Sequence, residues 1–255
     1  MSDYKYIDDV KSILFGQLNL NIVDEIMYEY YVNRFGINYI CNFAASIGDL
    51  HLLIWLKEIG YLCNCNKNDA YKYASVNGRL EILMWLNENN YPIDYDVVYL
   101  YASANGYLEI LKWVKKYALP NNFLFCSCAA QFGHINAFKW LRENNCPWNE
   151  CICSIASQFG HFEILKWARK NGCPWDKSVC ENAVIIGHLE MLCWIRENNC
   201  PWDEAKCIDL AIKNGHTQIL HWLQRLQKNV NHYYKQFGSY TEYLEKSRMI
   251  NTLAC

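Results

Sequence analysis

A repeat close to 27 residues long organises most of this chain. Seven glycines stand at intervals of 30, 28, 27, 27, 27 and 28 residues. Each has an alanine four residues before it and a tryptophan seven residues after it. The glycines are Gly48, Gly78, Gly106, Gly133, Gly160, Gly187 and Gly215. A period of this length is typical of proteins in which one short helical unit stacks on the next.

Each column of the repeat predicts one part of a helix-turn-helix unit. The alanine is placed within a first helix, where a small side chain lets a neighbouring helix approach closely. The glycine ends that helix, because a tight turn needs a residue that tolerates positive φ. The residues after it are mostly apolar, with Glu and Lys on the remaining stripe, and predict an amphipathic second helix that carries the tryptophan.

The prolines predict where each second helix stops. All five follow a repeat glycine by fourteen residues, and they are Pro92, Pro120, Pro147, Pro174 and Pro201. A helix does not continue into proline. Two residues later stands a side chain that can cap the next first helix, at Asp94, Asn122, Asn149, Asp176 and Asp203. The duplicated segment RENNCPW, at Arg142–Trp148 and Arg196–Trp202, is therefore predicted to be a stop signal joined to a start signal.

One repeat reads CSIASQFGHFEILKWARKNGCPWD, from Cys153 to Asp176. It resembles the ankyrin repeat, which has alanine before a Gly-His turn, an apolar second helix and a closing Asn-Gly segment. The resemblance covers 37–226 and implies an all-α fold, a right-handed solenoid of helix-turn-helix repeats. An ankyrin unit has 33 residues, about six more than here, so short loops are expected in place of β-hairpin fingers. The Thr-Pro-Leu-His opening is also missing, and the short tryptophan-bearing unit is similar to ankyrin-like repeats of giant DNA viruses of amoebae.

We expect three regions: an N-terminal helical cap at 1–36, seven ankyrin-like repeats at 37–226, and a C-terminal cap or tail at 227–255. The flanks lack the repeat columns, and the ends of a stack need an outer face that tolerates water. Leu18–Met27 weakly resembles an F-box segment. This leaves open an adaptor function, in which a terminal flank recruits a component of a ubiquitin ligase.

Charge and hydropathy argue against several partners. The net charge is −2, from 24 basic and 26 acidic residues, so no global field attracts polyanions. The N-terminus carries acidic residues where a signal peptide is basic, and no apolar run is long enough to cross a bilayer. We therefore expect an intracellular protein, in the host cytoplasm if it is viral. No membrane association is expected, and nucleic acid is a disfavoured partner.

The cysteines recur in two columns, which are Cys126, Cys153 and Cys180 in the first helix and Cys146, Cys173 and Cys200 before the prolines. Packed helix layers lie roughly 8–10 Å apart, whereas a disulfide needs Cα atoms closer than about 7 Å. Neighbours within one column are therefore too far apart to be joined. We predict reduced thiols that pack as small apolar groups, and no bound metal.

Four histidines follow repeat glycines, at His134, His161, His188 and His216. They recur once per layer, so no two need converge on a substrate, and a general base needs a positioned partner. The sequence contains no recognised catalytic or nucleotide-binding motif. We expect structural histidines, no cofactor and no enzymatic activity.

The resemblance implies that ligands bind the concave face, against variable positions of the first helix just before the glycine turn. These candidate partner-binding residues are Tyr73, Tyr101, Gln131, Phe132, Gln158, Phe159, Ile185 and Ile186. They are apolar for a solvated face, and either they pack between repeats or they form a protein-binding strip. The same two alternatives, inter-repeat packing and exposure to a partner, exist for Trp148, Trp175 and Trp202, and packing is favoured.

We therefore expect a monomeric, non-enzymatic protein-protein interaction scaffold. Its partner is a protein of unknown identity, and a host protein if the chain is viral. The adaptor function is the first alternative. Nucleic-acid binding through the aromatic side chains is a weaker one, because the sequence lacks the basic stripe that phosphates require.

Overall fold

The computed structural model describes residues 37–58, 67–149 and 151–237 of the 255-residue chain. These ranges contain fourteen α-helices and no strand, which confirms the all-α prediction. The helices are α1 Ile37–Ile47, α2 Leu50–Glu58, α3 Lys67–Val76, α4 Leu80–Glu88, α5 Tyr95–Asn105, α6 Leu108–Val114, α7 Phe123–Gln131, α8 Ile135–Glu143, α9 Cys151–Gln158, α10 Phe162–Lys170, α11 Ser178–Ile185, α12 Leu189–Glu197, α13 Glu204–Lys213 and α14 Thr217–Phe237. Each odd-numbered helix is the first of a predicted repeat, and each even-numbered helix is the second.

The helices pack with their neighbours along the chain. Two compact units are present, residues 1–93 with helices α1 to α4, and residues 94–255 with helices α5 to α14. Every first helix packs against the second helix of its own pair. First helices also pack on one another, α1 on α3 in the first compact unit and α5, α7, α9, α11 and α13 in sequence in the second. This nearest-neighbour packing is what a helical repeat requires.

The predicted flanks are only partly covered by the structure. The N-terminal cap at 1–36, with the segment Leu18–Met27, lies outside the described residues, and so does 238–255. The last helix, α14, is 21 residues long and continues through the predicted repeat boundary at 227.

The turn between the two helices is built identically in all seven repeats. Each repeat glycine has a positive φ, between 71° and 85°. The residue after it donates its backbone N–H to the carbonyl oxygen of the column alanine, over 2.8–3.0 Å. The seven donor and acceptor pairs are Asp49 and Ala44, Arg79 and Ala74, Tyr107 and Ala102, His134 and Ala129, His161 and Ala156, His188 and Ala183, and His216 and Ala211. This bond is the mark of a Schellman motif, which satisfies a carbonyl that the helix leaves open.

The column alanines are fully buried, as predicted. All seven have a relative exposure of 0%. A side chain with one methyl group lets the neighbouring helices come close while adding little volume to the interface. The alanine therefore serves twice, because its side chain permits packing and its carbonyl closes the turn.

A second turn of the same kind ends the second helix and explains the RENNCPW segment. Its second asparagine has a positive φ, 62° at Asn145 and 59° at Asn199. Gly172 stands at the equivalent position of the repeat between them, and its φ is 82°. The following cysteine donates its N–H to a carbonyl five residues back, as Cys146 does to Leu141 over 3.0 Å. Asparagine tolerates this left-handed conformation better than most residues. The segment is a helix stop, as the sequence predicted.

The predicted caps form at four of the five positions. Asp94 Oδ1 accepts from the backbone N–H of Asp96 at 3.0 Å, and equivalent bonds form at Asn122, Asp176 and Asp203. At Asn149 the prediction is wrong, because its buried Oδ1 accepts no hydrogen bond within the described residues. The backbone carbonyl of Asn149 instead accepts from the N–H of Ile152, at 3.2 Å.

We expect Gly133→Ala to lower the free energy of unfolding by about 1–3 kcal/mol, because the new side chain is strained at positive φ. Gly133 has φ 80°, and an added Cβ would lie 2.6 Å from Cε1 of His161 in the next repeat. Urea denaturation measures the loss.

Gly172 provides the matched control for that substitution. Its φ is 82°, but an added Cβ would meet no atom within 4 Å. Gly172→Ala should therefore cost less than Gly133→Ala, and Gly172→Asn should be close to neutral because Asn145 and Asn199 hold the same conformation. Equal losses for the two alanine variants would contradict the predicted contact with His161.

Candidate functional site

Large apolar side chains are exposed at the ends of three consecutive first helices. Phe132 is 54% exposed, Phe159 46%, Ile185 43% and Ile186 38%. We call these four residues the apolar strip. They lie at the C-terminal ends of α7, α9 and α11, which pack in that order within the second compact unit. The strip therefore runs across three neighbouring repeats.

The other predicted binding residues occupy different surroundings. Gln158 is exposed and Gln131 is half-buried, and each directly precedes a phenylalanine of the apolar strip. Tyr101 lies half-buried on α5, one turn before the end of that helix. Tyr73 is 40% exposed and lies on α3, in the first compact unit.

Other repeats show that the strip position does not require an apolar residue. Asparagine directly precedes the glycine in three of them, at Asn77, Asn105 and Asn214. The side-chain amide of each donates to the carbonyl four residues back, over 2.8 to 2.9 Å. Phenylalanine and isoleucine cannot form this bond. The exposed apolar side chains are therefore not demanded by the turn.

The histidines after the glycines connect adjacent repeats at the strip. His161 Nε2 is hydrogen-bonded to the carbonyl oxygen of Gln131 at 2.9 Å, and His216 Nε2 to that of Ile185 at 2.9 Å. Arg79 does the same in the first compact unit, where its Nε donates to the carbonyl of Ser46 at 3.1 Å. These bonds satisfy carbonyls that the helix ends leave open.

His188 takes a different position, consistent with the structural role expected of these histidines. Its Nδ1 accepts from the backbone N–H of Met191 at 3.2 Å and so caps α12. Its ring also meets that of Phe162 edge-on, with centroids 5.6 Å apart. The ring contacts of His161, His188 and His216 therefore all serve the packing of the repeats.

Two of the three loop tryptophans, Trp148 and Trp175, pack against the next repeat, as favoured from the sequence. All three are half-buried. Trp148 meets Trp167 of the next second helix edge-on, with centroids 6.2 Å apart, and Trp175 meets Trp194 at 5.9 Å. Edge-on aromatic pairs of this kind add to the free energy gained by burial.

An arginine covers the ring of each loop tryptophan. The guanidinium carbon lies 4.0 Å from the ring centroid in the Arg142–Trp148 and Arg196–Trp202 pairs. The same arginines donate to the carbonyls of Cys146 and Cys200. Cation–π contact and hydrogen bond together hold the loop against the end of its own helix. The arginine, the second asparagine, the cysteine and the tryptophan of RENNCPW are thus all used in closing the repeat.

The two cysteine columns meet side by side in the structure. In three repeats the loop thiol donates to the carbonyl one turn before the helix cysteine, which pairs Cys126 with Cys146, Cys153 with Cys173, and Cys180 with Cys200. All six side chains are buried and all six are free thiols. Spacing within one column does not reveal these pairs, which the sequence-based prediction therefore missed. The signal for them is a separation of 20 residues that recurs in three repeats.

The pairing also shifts the pKa values of the thiols. Bonding to Cys146, followed by burial, raises the pKa of Cys126, and the same bond lowers the pKa of Cys146. The pKa of Cys173 is lowered in the same way by Cys153. One cysteine departs from the expectation of reduced thiols, because Cys41 is disulfide-bonded.

Two further features bear on the candidate partners. Within the described ranges, no group of three or more His, Cys, Asp or Glu residues is arranged to hold a metal ion. None of the helices there is long and apolar enough to cross a membrane.

Comparison with models of known protein families and with curated proteins finds no match for this sequence.

We expect the reactivity of the free thiols to follow their burial in the native protein. Cys151 is exposed, whereas burial raises the pKa of the Cys207 thiol to about 12. Because the thiolate is the reactive form, Cys151 should be alkylated at neutral pH well before Cys207. Peptide mass spectrometry after timed alkylation measures both sites, and equal rates would contradict the burial of Cys207.

Proposed function

We propose that this protein is a non-enzymatic binding scaffold, a right-handed solenoid of ankyrin-like repeats that holds a protein partner against its first helices. The apolar strip is the observation that supports this proposal. Large apolar side chains that are left in water at the same place in neighbouring repeats favour a surface for association, whereas scattered ones are ordinary. The strip has four members on three helices that pack in sequence.

The energetic contribution of such a surface is modest but useful. Complete burial of a large apolar side chain contributes roughly 1.5–3 kcal/mol, and about half of that remains to be gained from a half-exposed one. Four side chains then supply several kcal/mol, from which the cost of association is subtracted. Gln131 and Gln158 add amide donors and acceptors beside the apolar groups, which is the usual composition of an interface.

The dimensions of the strip favour a helical segment of the partner. Packed helices are spaced about 8–10 Å apart, so each repeat presents its apolar side chain at that interval. Residues seven apart on an α-helix are separated by about 10.5 Å along its axis. A partner helix with apolar residues at every seventh position therefore matches the three repeats.

The alternative adaptor function depends on residues that the structure does not describe. A ubiquitin-ligase component would be recruited by a terminal flank, and residues 1–36 and 238–255 are not among the described residues. The scaffold proposal depends only on the second compact unit, whose helices are described from α5 to α14.

The test replaces strip residues with the residue that other repeats use at the same place. We expect the triple variant Phe132→Asn, Phe159→Asn, Ile186→Asn to keep its helicity, because Asn105 and Asn214 fit there with a capping hydrogen bond. It should lose at least tenfold in affinity for the proteins that the intact chain captures from a cell lysate, a factor that corresponds to about 1.4 kcal/mol.

Leu119→Asn is the matched control, because Leu119 is 69% exposed but lies in the loop between α6 and α7 and not at the end of a first helix. It should capture the same proteins as the intact chain. Unchanged capture by the triple variant, with circular dichroism showing a normal fold, would refute binding through the strip.

A further inference from the structure

Three buried pairs of thiols lie at equivalent places in consecutive repeats. In each pair a cysteine of the first helix lies beside the cysteine before the proline of the same repeat, 20 residues later, whose Sγ bonds to a carbonyl one turn before the helix cysteine. The arrangement recurs in three consecutive repeats, on α7, α9 and α11. A small apolar side chain such as alanine or valine would fill the same space without placing two reactive groups in contact.

The pre-proline thiols are also tied to the start of the first helix. Cys146 Sγ donates to the carbonyl of Asn122 at 3.4 Å, Cys173 Sγ to that of Asn149 at 3.4 Å, and Cys200 Sγ to that of Asp176 at 3.3 Å. In the middle pair, Cys153 Sγ also approaches the carbonyl of Cys173, at 4.0 Å. Each thiol pair thus lies where the closing loop of a repeat meets its first helix.

We propose that these pairs are a redox modification site, at which a low-molecular-weight disulfide such as oxidised glutathione converts each pair into a disulfide between the loop and the first helix. The products are Cys126–Cys146, Cys153–Cys173 and Cys180–Cys200. A disulfide is about 2.05 Å long, so the two sulfur atoms of a pair must move closer together to form it. The loop cysteine can supply that movement, because it lies outside any helix.

The reaction proceeds by two exchange steps. A thiolate of one cysteine attacks a sulfur of the reagent disulfide, which forms a mixed disulfide and releases one reagent thiolate. The thiolate of the other cysteine then attacks the mixed disulfide, which forms the internal bond and releases the second reagent thiolate. Two cysteine thiols are oxidised, one reagent disulfide is reduced to two thiols, and the two cysteine protons pass to the released thiolates through solvent.

In two of the three pairs the loop cysteine is the better first nucleophile. The hydrogen bond from its partner lowers the pKa of Cys146 and of Cys173, and that of Cys126 and of Cys153 is raised by the same pairing. The loop cysteines are also next to exposed prolines, Pro147 and Pro174. Local opening of one loop can therefore expose the thiol pair to the reagent without unfolding a helix.

The test uses the intact chain, reduced and then equilibrated under native conditions in glutathione buffers from reducing to oxidising. Remaining thiols are blocked by alkylation in denaturant, and the linked peptides are identified by mass spectrometry. We expect the three predicted links in oxidising buffer, and their loss on return to excess reduced glutathione. The denaturant midpoint should rise in the oxidised form, because each link lowers the conformational entropy of the unfolded chain.

Two outcomes would overturn the proposal. The first is that all six cysteines are still fully alkylated in a buffer that already glutathionylates the exposed Cys151. The second is that links form between repeats, such as Cys126 with Cys153, in place of links within them. Neither outcome depends on a substitution, so a variant that folds poorly cannot obscure the result.

Matched serine variants separate the pairs from the other thiols. Cys146→Ser keeps a hydroxyl that can donate to the carbonyl of Asn122. It should remove only the Cys126–Cys146 link, and Cys126 should then stay a free thiol and be alkylated. Cys128→Ser changes a half-buried free thiol outside the pairs and should leave all three links intact. If Cys146→Ser retained three links, or Cys128→Ser lost one with its helicity unchanged, the assignment of the pairs would be wrong.

Discussion

One backbone hydrogen bond sets the geometry of every repeat. The N–H after each glycine donates to the carbonyl of the alanine five residues earlier, and it does so seven times over 2.8–3.0 Å. The bond requires a left-handed residue between donor and helix, which glycine supplies at little cost. It also fixes where the second helix begins, and hence which residues of the two helices face each other. This constraint explains the regular spacing of alanine, glycine and tryptophan in the sequence.

Because the backbone closes the turn, the side chain just before the glycine is left to other uses. Asn105 and Asn214 use it to cap the helix, whereas Phe132, Phe159 and Ile186 leave it exposed and apolar. The histidines of following repeats bond to the carbonyls of Gln131 and Ile185, and so hold the same helix ends in place. Variable side chains on a rigid backbone suit recognition, because little conformational entropy is lost when a partner binds.

Much of the fold could be predicted from the sequence because its signals are local. Glycine turns, proline stops and Asp or Asn caps each act within a few residues, and only the cap at Asn149 did not form. The positions of Phe132 and Phe159 could be predicted too, but not their exposure, which depends on how far the next repeat covers them. The pairing of Cys126 with Cys146 was missed because it depends on how the second helix folds back. The disulfide of Cys41 had no signal in the repeat columns.

Residue-resolved amide hydrogen exchange tests the central constraint most directly. The seven amides that follow the repeat glycines lie in turns, where unbonded N–H groups exchange quickly. The structure predicts that these amides, from Asp49 to His216, are protected to the same degree as those inside the helices they follow. Rapid exchange at these positions, with the neighbouring helices still protected, would show that this hydrogen bond does not hold the turn and that the geometry of the repeats has another origin.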